Sequence, residues 1–145
     1  MKKFDFLKYC IPCNAWCCKG ENPYASKSEL AKLHVNRISQ IKDRRCIFLR
    51  ENNTCSQYLK RPLECRIFPY DIKRINGNLS WVVWTKCKAE SYMVHDNFLK
   101  EFERDLPKRW SLNYVISYVC YHKDHQPDKY SKLKYKILRP LIWRK

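Results

Sequence analysis

The stretch D71-I-K-R-I-N-G-N-L-S-W-V-V-W-T-K-C87 decides how this chain folds. Asn76-Gly77 is a dipeptide that tolerates positive φ at both central positions of a tight turn, and β-rich residues flank it on either side. The pattern predicts a β-hairpin that reverses at Asn76-Gly77 and ends at Cys87.

Working outward from the hairpin, helical spacing takes over. Downstream, Val94, Phe98, Leu99, Phe102 and Leu106 predict one helix. Trp110, Tyr114, Val115, Tyr118 and Val119 predict another after Pro107. The tail from Pro127 to Lys145 mixes Tyr130, Leu133, Ile137, Leu138, Leu141, Ile142 and Trp143 with lysines and arginines, as either a basic amphipathic helix before Pro140 or a loosely ordered arm. Upstream, Ser26 with Glu29 three positions on reads as a helix cap, followed by Leu30, Leu33, Ile38 and Ile41 on one helical face. Between Cys46 and Pro69 the cysteines, Pro62 and Pro69 predict turns with one brief strand or helical turn. The expected fold is therefore α+β: a small, loop-rich cysteine-cluster domain with a β-hairpin and three to four helices.

With 145 residues the chain is expected to form a single domain over 1–145, with a cysteine-bearing core over 10–90 and a helical part over 91–145 that carries the basic tail. Thirty Lys and Arg against fourteen Asp and Glu give a formal charge of +16, and from Lys123 to Lys145 eight basic residues face two acidic ones. Such a field favours an anionic partner: nucleic acid, anionic membrane or an acidic protein. The N-terminal lysines resemble the start of a secretory signal, but Asp5, Lys8 and the cysteines break the apolar run, so none is expected. The runs Trp81 to Trp84 and Tyr114 to Tyr121 fall well short of the about eighteen residues a membrane span needs. A cytoplasmic protein is the expectation.

Nine cysteines are far more than ordinary usage, and in a reducing compartment disulfides are rare, which shifts the weight to metal or catalysis. Adjacent Cys17-Cys18 agree, because neighbours bridge each other only through a strained ring, whereas two thiolates can both serve metal. Apart from Cys120, the cysteines form two sets. Cys10, Cys13, Cys17 and Cys18 are close together, and Cys46, Cys55, Cys65 and Cys87 are dispersed. Soft sulfur suits zinc or an iron–sulfur cluster, and close spacing lets one turn direct several sulfurs to a common centre. Zinc sites usually show two Cys-x2-Cys knuckles, and only Cys10 and Cys13 make one here. A clustered run followed by remote single cysteines is more like iron–sulfur ligation.

The string C46-I-F-L, then C55-S-Q-Y-L-K-R-P-L-E-C65-R-I-F-P69 and an isolated Cys87 after a hairpin, resembles the cysteine-cluster family of zinc- or iron-chelating domains with a C-x2-C-x2-C-C signature. Flagellin lysine-N-methylase carries a similar domain. The resemblance spans roughly residues 10 to 90. It departs from the pattern in having three residues, Asn14-Ala15-Trp16, before the Cys17-Cys18 pair. It implies that Cys10, Cys13, Cys17, Cys18, Cys46, Cys55, Cys65 and Cys87 ligate metal, as an iron–sulfur cluster of the 4Fe–4S type or, alternatively, as zinc. Tyr58, Arg61 and Arg66 would surround the ligands and offset their charge, with Arg44 and Arg45 available nearby. Tyr58, Phe68 and Tyr70 would shield the cluster from water or simply fill the core.

Three functional classes follow: a metal-binding protein with an accessory or redox-related role, a protein lysine N-methylase-like enzyme or its subunit, and a zinc-stabilised nucleic-acid-binding protein. The second lacks a recognisable donor site. Only Gly20 and Gly77 are present, too few for a dinucleotide-type glycine-rich turn, and the spacing of three then two residues used by radical S-adenosylmethionine enzymes fails at Gly20. The third rests on the tail, where Tyr130, Tyr135 and Trp143 sit among basic residues. Cys120, His122 and His125 have weak zinc spacing and read better as a buried cysteine with two solvent-facing histidines, while His34 and His95 read as structural.

Overall fold

A computed structural model describes residues 18, 23–38, 40–41, 45–87, 90, 94–124 and 135–144. They fall into two compact units. One holds the described residues up to Arg66 together with Cys87, and the other holds Ile67–Lys86 and those from Glu90 onward. Four helices and a three-stranded antiparallel sheet among the described residues make this an α+β fold.

In the first unit, α1 (Lys27–Lys32) begins at the expected cap. Ser26 Oγ accepts from the Glu29 N–H at 3.2 Å and Glu29 Oε2 accepts from the Ser26 N–H at 2.9 Å, so two orphan donors of the first turn are satisfied reciprocally. The helix is shorter than the apolar spacing suggests. His34 adopts φ 57°, and the N–H groups of Leu33, His34 and Val35 turn back onto Leu30 and Ala31, closing the helix before Ile38. Ile38 is nevertheless buried, as is Leu33. Two short strands follow, β1 (Gln40–Ile41) and β2 (Arg45–Cys46), paired antiparallel. A single 3₁₀ turn at Tyr58–Lys60 precedes α2 (Leu63–Ile67).

Glu29 fixes α2 as well as α1. It is 5% exposed, and its Oε1 accepts from the Leu63 N–H at 2.9 Å, capping α2 from a position thirty-four residues away. Glu64 returns the contact by accepting from the Tyr24 N–H. One carboxylate therefore sets two helix starts, and the second of these carries Cys65.

In the second unit, β3 (Tyr70–Ile75) and β4 (Asn78–Trp84) form the expected hairpin in register Ile75↔Asn78, with Asn76 at φ 48° and Gly77 at φ 83°. Residues Ser80 to Trp84 are all buried, with no alternation. This is the pattern of a strand covered on both faces, and two helices supply the cover. On one face Tyr70 and Trp81 meet Phe102 of α3 (His95–Arg109) at 5.9 Å between ring centroids in each case. On the other, Tyr118 of α4 (Leu112–Asp124) donates its O–H to Asp71 Oδ1 at 2.7 Å. Asp71 is otherwise satisfied by the N–H of Ile72 and the indole of Trp84.

Pro107 does not separate the two helices. It lies in the last turn of α3, where it forgoes the single i→i−4 bond its own amide would have made, and the break comes at Trp110, whose backbone is extended.

The tail forms neither a helix nor a loose arm over 135–140. It is β5 (Tyr135–Pro140), the third strand of the sheet, paired with β4 from Trp84↔Tyr135 to Ser80↔Pro140 with a register shift at Trp81/Val82. The strand is held by Glu103, which is 6% exposed. Arg139 donates to both of its oxygens, at 2.6 and 3.0 Å, and the Trp81 indole and the Ile142 N–H add two more bonds at 2.9 Å. No helix among the described residues is long and apolar enough to cross a membrane.

Two stability predictions follow from these carboxylates. Glu29→Ala leaves the Leu63 and Ser26 donors without their acceptor and is expected to cost about 2 kcal/mol in chemical denaturation. Burial opposes ionisation of Glu103, but bonds from Arg139, Ile142 and Trp81 outweigh it and hold its pKa below the ordinary value. A depressed carboxylate contributes stability above its unfolded pKa and loses it as pH falls through the folded one. Thermal stability is thus expected to fall in the acid range below the usual glutamate pKa. Glu103→Gln should flatten that decline and cost about 2 kcal/mol at neutral pH.

Candidate metal centre

The loop after β2 is folded so that distant cysteines become neighbours. The Leu49 N–H bonds to the Cys46 carbonyl at 3.0 Å, Leu49 bridges Cys55 in antiparallel sense, and the Ser56 N–H reaches the Phe48 carbonyl at 2.8 Å. Between them the chain reverses over Arg50 to Thr54. The Arg50 N–H donates to Thr54 at 2.8 Å, Asn53 takes φ 64°, and Asn52 Oδ1 accepts from the Thr54 hydroxyl at 2.6 Å. Asparagine at the reversal suits both the positive φ and the side-chain bond. Cys46 and Cys55 thus stand at the two feet of a small hairpin-like loop.

Each of these sulfurs has main-chain donors. Cys46 accepts from the N–H groups of Phe48 and Leu49, and Cys55 accepts from that of Gln57. The same local turn, in which a residue two positions on gives its N–H to the sulfur, is used twice. Such donors stabilise a thiolate more than a thiol.

Cys65 lies in α2, and Arg61 packs against the chain around it. Its guanidinium carbon sits 3.7 Å from the centroid of the Tyr58 ring, Nε donates to the Tyr58 carbonyl at 2.8 Å, and Nη1 donates to the Cys65 carbonyl at 3.1 Å. Held in this way, its charge acts on both Cys55 and Cys65. Tyr58 is the platform that positions Arg61. Arg66 turns its Nη2 to the Leu59 carbonyl at 2.6 Å.

The sulfur of Cys18 stands within electrostatic reach of those of Cys46, Cys55 and Cys65. Burial raises the pKa of Cys46 and Cys55, and the sulfur of Cys18 adds to both; Cys55 adds to Cys46. Cys65 is pushed up furthest, by burial first, then by Glu64 and Cys18, with Cys46 contributing. Arg61 opposes the rise at Cys55 and Cys65, and Arg50 opposes it at Cys55. Without a cation, sulfurs so placed favour the protonated form. A bound metal reverses that preference and displaces the protons.

Among the described residues, no three Cys, His, Asp or Glu side chains are gathered tightly enough to hold an ion. Cys87, half-buried, belongs to the same unit as Cys18, Cys46, Cys55 and Cys65. Cys10, Cys13 and Cys17 lie outside the described residues, as do Arg44, His125 and Tyr130.

The remaining candidates are in the second unit. Cys120 is exposed on α4, not buried, because it falls on the helix face opposite Tyr118 and Val119. His122 meets Tyr118 and Tyr121 edge-on, at 4.5 and 5.4 Å between ring centroids. Two basic residues of the tail have internal partners: Lys136 meets Glu90 at 3.4 Å, and Arg139 meets Glu103 and Asp96. Sequence reasoning missed Arg50 and the three amide donors. Main-chain donors carry no residue signature, and Arg50 becomes relevant only once the loop has folded it beside Cys55.

No curated protein and no solved structure matches this chain. Residues 9–103 match the CxxCxxCC family, described as a "Putative zinc- or iron-chelating domain". With the cysteine pattern and most of the sequence accounted for by that match, the chain belongs to the CxxCxxCC family of zinc- or iron-chelating domains.

Proposed function

We propose that this protein binds an iron–sulfur cluster of the 4Fe–4S type and serves a redox-related or accessory role in the cytoplasm. Cys18, Cys46, Cys55 and Cys65 form the heart of the site, and Cys10, Cys13, Cys17 and Cys87 are the further ligands, eight thiols being enough for two four-thiolate sites. What supports this reading is that Cys18, from a separate segment, acts electrostatically on Cys46, Cys55 and Cys65, and that these sulfurs have amide donors and the fixed cation of Arg61 beside them. A tetrathiolate centre is anionic, and these are the groups that offset such a charge.

Cluster is favoured over single zinc by the cysteine pattern: zinc sites usually show two Cys-x2-Cys knuckles and only Cys10 and Cys13 make one, whereas a clustered run followed by remote single cysteines is more like iron–sulfur ligation. When bound, the cluster would supply one-electron redox chemistry or a Lewis-acidic iron. The chain's own part is to hold the sulfurs, exclude water around Cys65 and present Arg50 and Arg61 to the charge.

Protein purified without oxygen is expected to contain iron and acid-labile sulfide. Cys55→Ala and Cys65→Ala should lose most of both, and Cys120→Ala should keep them. Neither iron nor zinc in fresh material would overturn metal binding, and zinc without sulfide would overturn the cluster. Because burial keeps the Cys46, Cys55 and Cys65 thiols protonated near neutrality, adding metal to the apo-protein should release protons, measurable by pH-stat titration, and binding should strengthen as pH rises.

A further inference from the structure

We propose that Tyr70 is a redox-active tyrosine whose phenolic proton passes to His95 when a one-electron oxidant takes an electron from its ring. Tyr70 Oη lies 2.9 Å from His95 Nδ1, and His95 Nε2 lies 3.3 Å from Glu90 Oε1. A carboxylate only accepts, so the ring nitrogen facing it carries the hydrogen, and in the neutral imidazole the opposite nitrogen then presents its lone pair to the tyrosine. Tyr70 therefore donates to a base that is itself held in the correct tautomer. A phenol whose role is packing alone needs only a carbonyl acceptor; this one has a destination for its proton.

The surroundings suit a radical. Tyr70 is 1% exposed, so its ring exchanges electrons with an oxidant or reductant across the protein and without direct contact, which protects the radical from covalent attack. Trp81 meets it edge-on at 6.5 Å between centroids, and Phe102 at 5.9 Å, so a second oxidisable ring is adjacent. In the step, the Tyr70 O–H bond breaks and an N–H bond forms at His95 Nδ1, while one electron passes to the oxidant, of the oxygen-derived radical or oxidised-metal class. The products are a neutral phenoxyl radical and an imidazolium whose charge faces Glu90. An electron from a thiol-class reductant, with return of the proton from Nδ1, restores the starting state. Glu90 also meets Lys136 of β5, so the base is anchored to the edge strand of the same sheet. None of this depends on the metal reading.

The test is flash photo-oxidation of the full chain by a ruthenium polypyridyl with a sacrificial acceptor, read by electron paramagnetic resonance and transient absorption. The expected result is a neutral tyrosyl signal that Tyr70→Phe abolishes and that forms more slowly in D2O than in H2O. His95→Gln keeps a hydrogen-bond acceptor but not a base, and should lower the radical yield while leaving the unfolding temperature near that of the parent. A signal undiminished by Tyr70→Phe would place the radical on another tyrosine, such as Tyr118 with its Asp71 acceptor, and overturn the proposal. Equal rates in D2O and H2O on the unaltered chain would overturn it without recourse to any variant.

Discussion

Several partly buried sulfurs held close together make an unfavourable arrangement unless a cation joins them. Ionised, the thiolates of Cys18, Cys46, Cys55 and Cys65 repel; protonated, they are weak donors that do little for the fold. Arg61 and Arg50 offset part of that repulsion, and the Phe48, Leu49 and Gln57 amides stabilise a negative sulfur. These groups would be poorly matched to neutral thiols and are well matched to a metal–thiolate centre. The rest of the first unit follows from that demand: a loop that returns Cys55 to Cys46, and a short helix, started by Glu29, that brings in Cys65.

The second unit solves a different problem by similar means. Its sheet is covered on both faces by helices rich in large aromatics, whose polar atoms must be satisfied in the interior. Asp71 serves Tyr118 and Trp84, Glu103 serves Trp81 and Arg139, and His95 serves Tyr70. Each buried polar ring is thus tied to an ionisable group on a neighbouring strand or helix. Arg139 and Lys136, which in sequence look like part of a basic surface, act as fasteners for the last strand. The chain's charge of +16 is therefore a poor guide to what β5 offers a partner.

Local chemistry was the legible part of the sequence. Asn76-Gly77 specified the turn, Ser26 with Glu29 specified the cap, and the cysteine string with Arg61-Pro62 and Cys65-Arg66 pointed to the family. What failed depended on partners far along the chain. The tail carries helix-compatible spacing, and only pairing with β4 and the Glu103–Arg139 bond make it a strand. Pro107 looked like a boundary because its place relative to the helix end depends on where α3 stops. The second role of Glu29, capping a helix thirty-four residues away, has no local signature at all.

The central claim is that sulfur atoms from separate segments surround one bound metal centre. X-ray absorption at the metal edge of oxygen-free protein addresses it most directly. The account predicts a nearest shell made of sulfur, at about 2.3 Å, with iron–iron scattering beyond it. A shell dominated by nitrogen or oxygen would contradict it, since the cysteines would then not be the ligands.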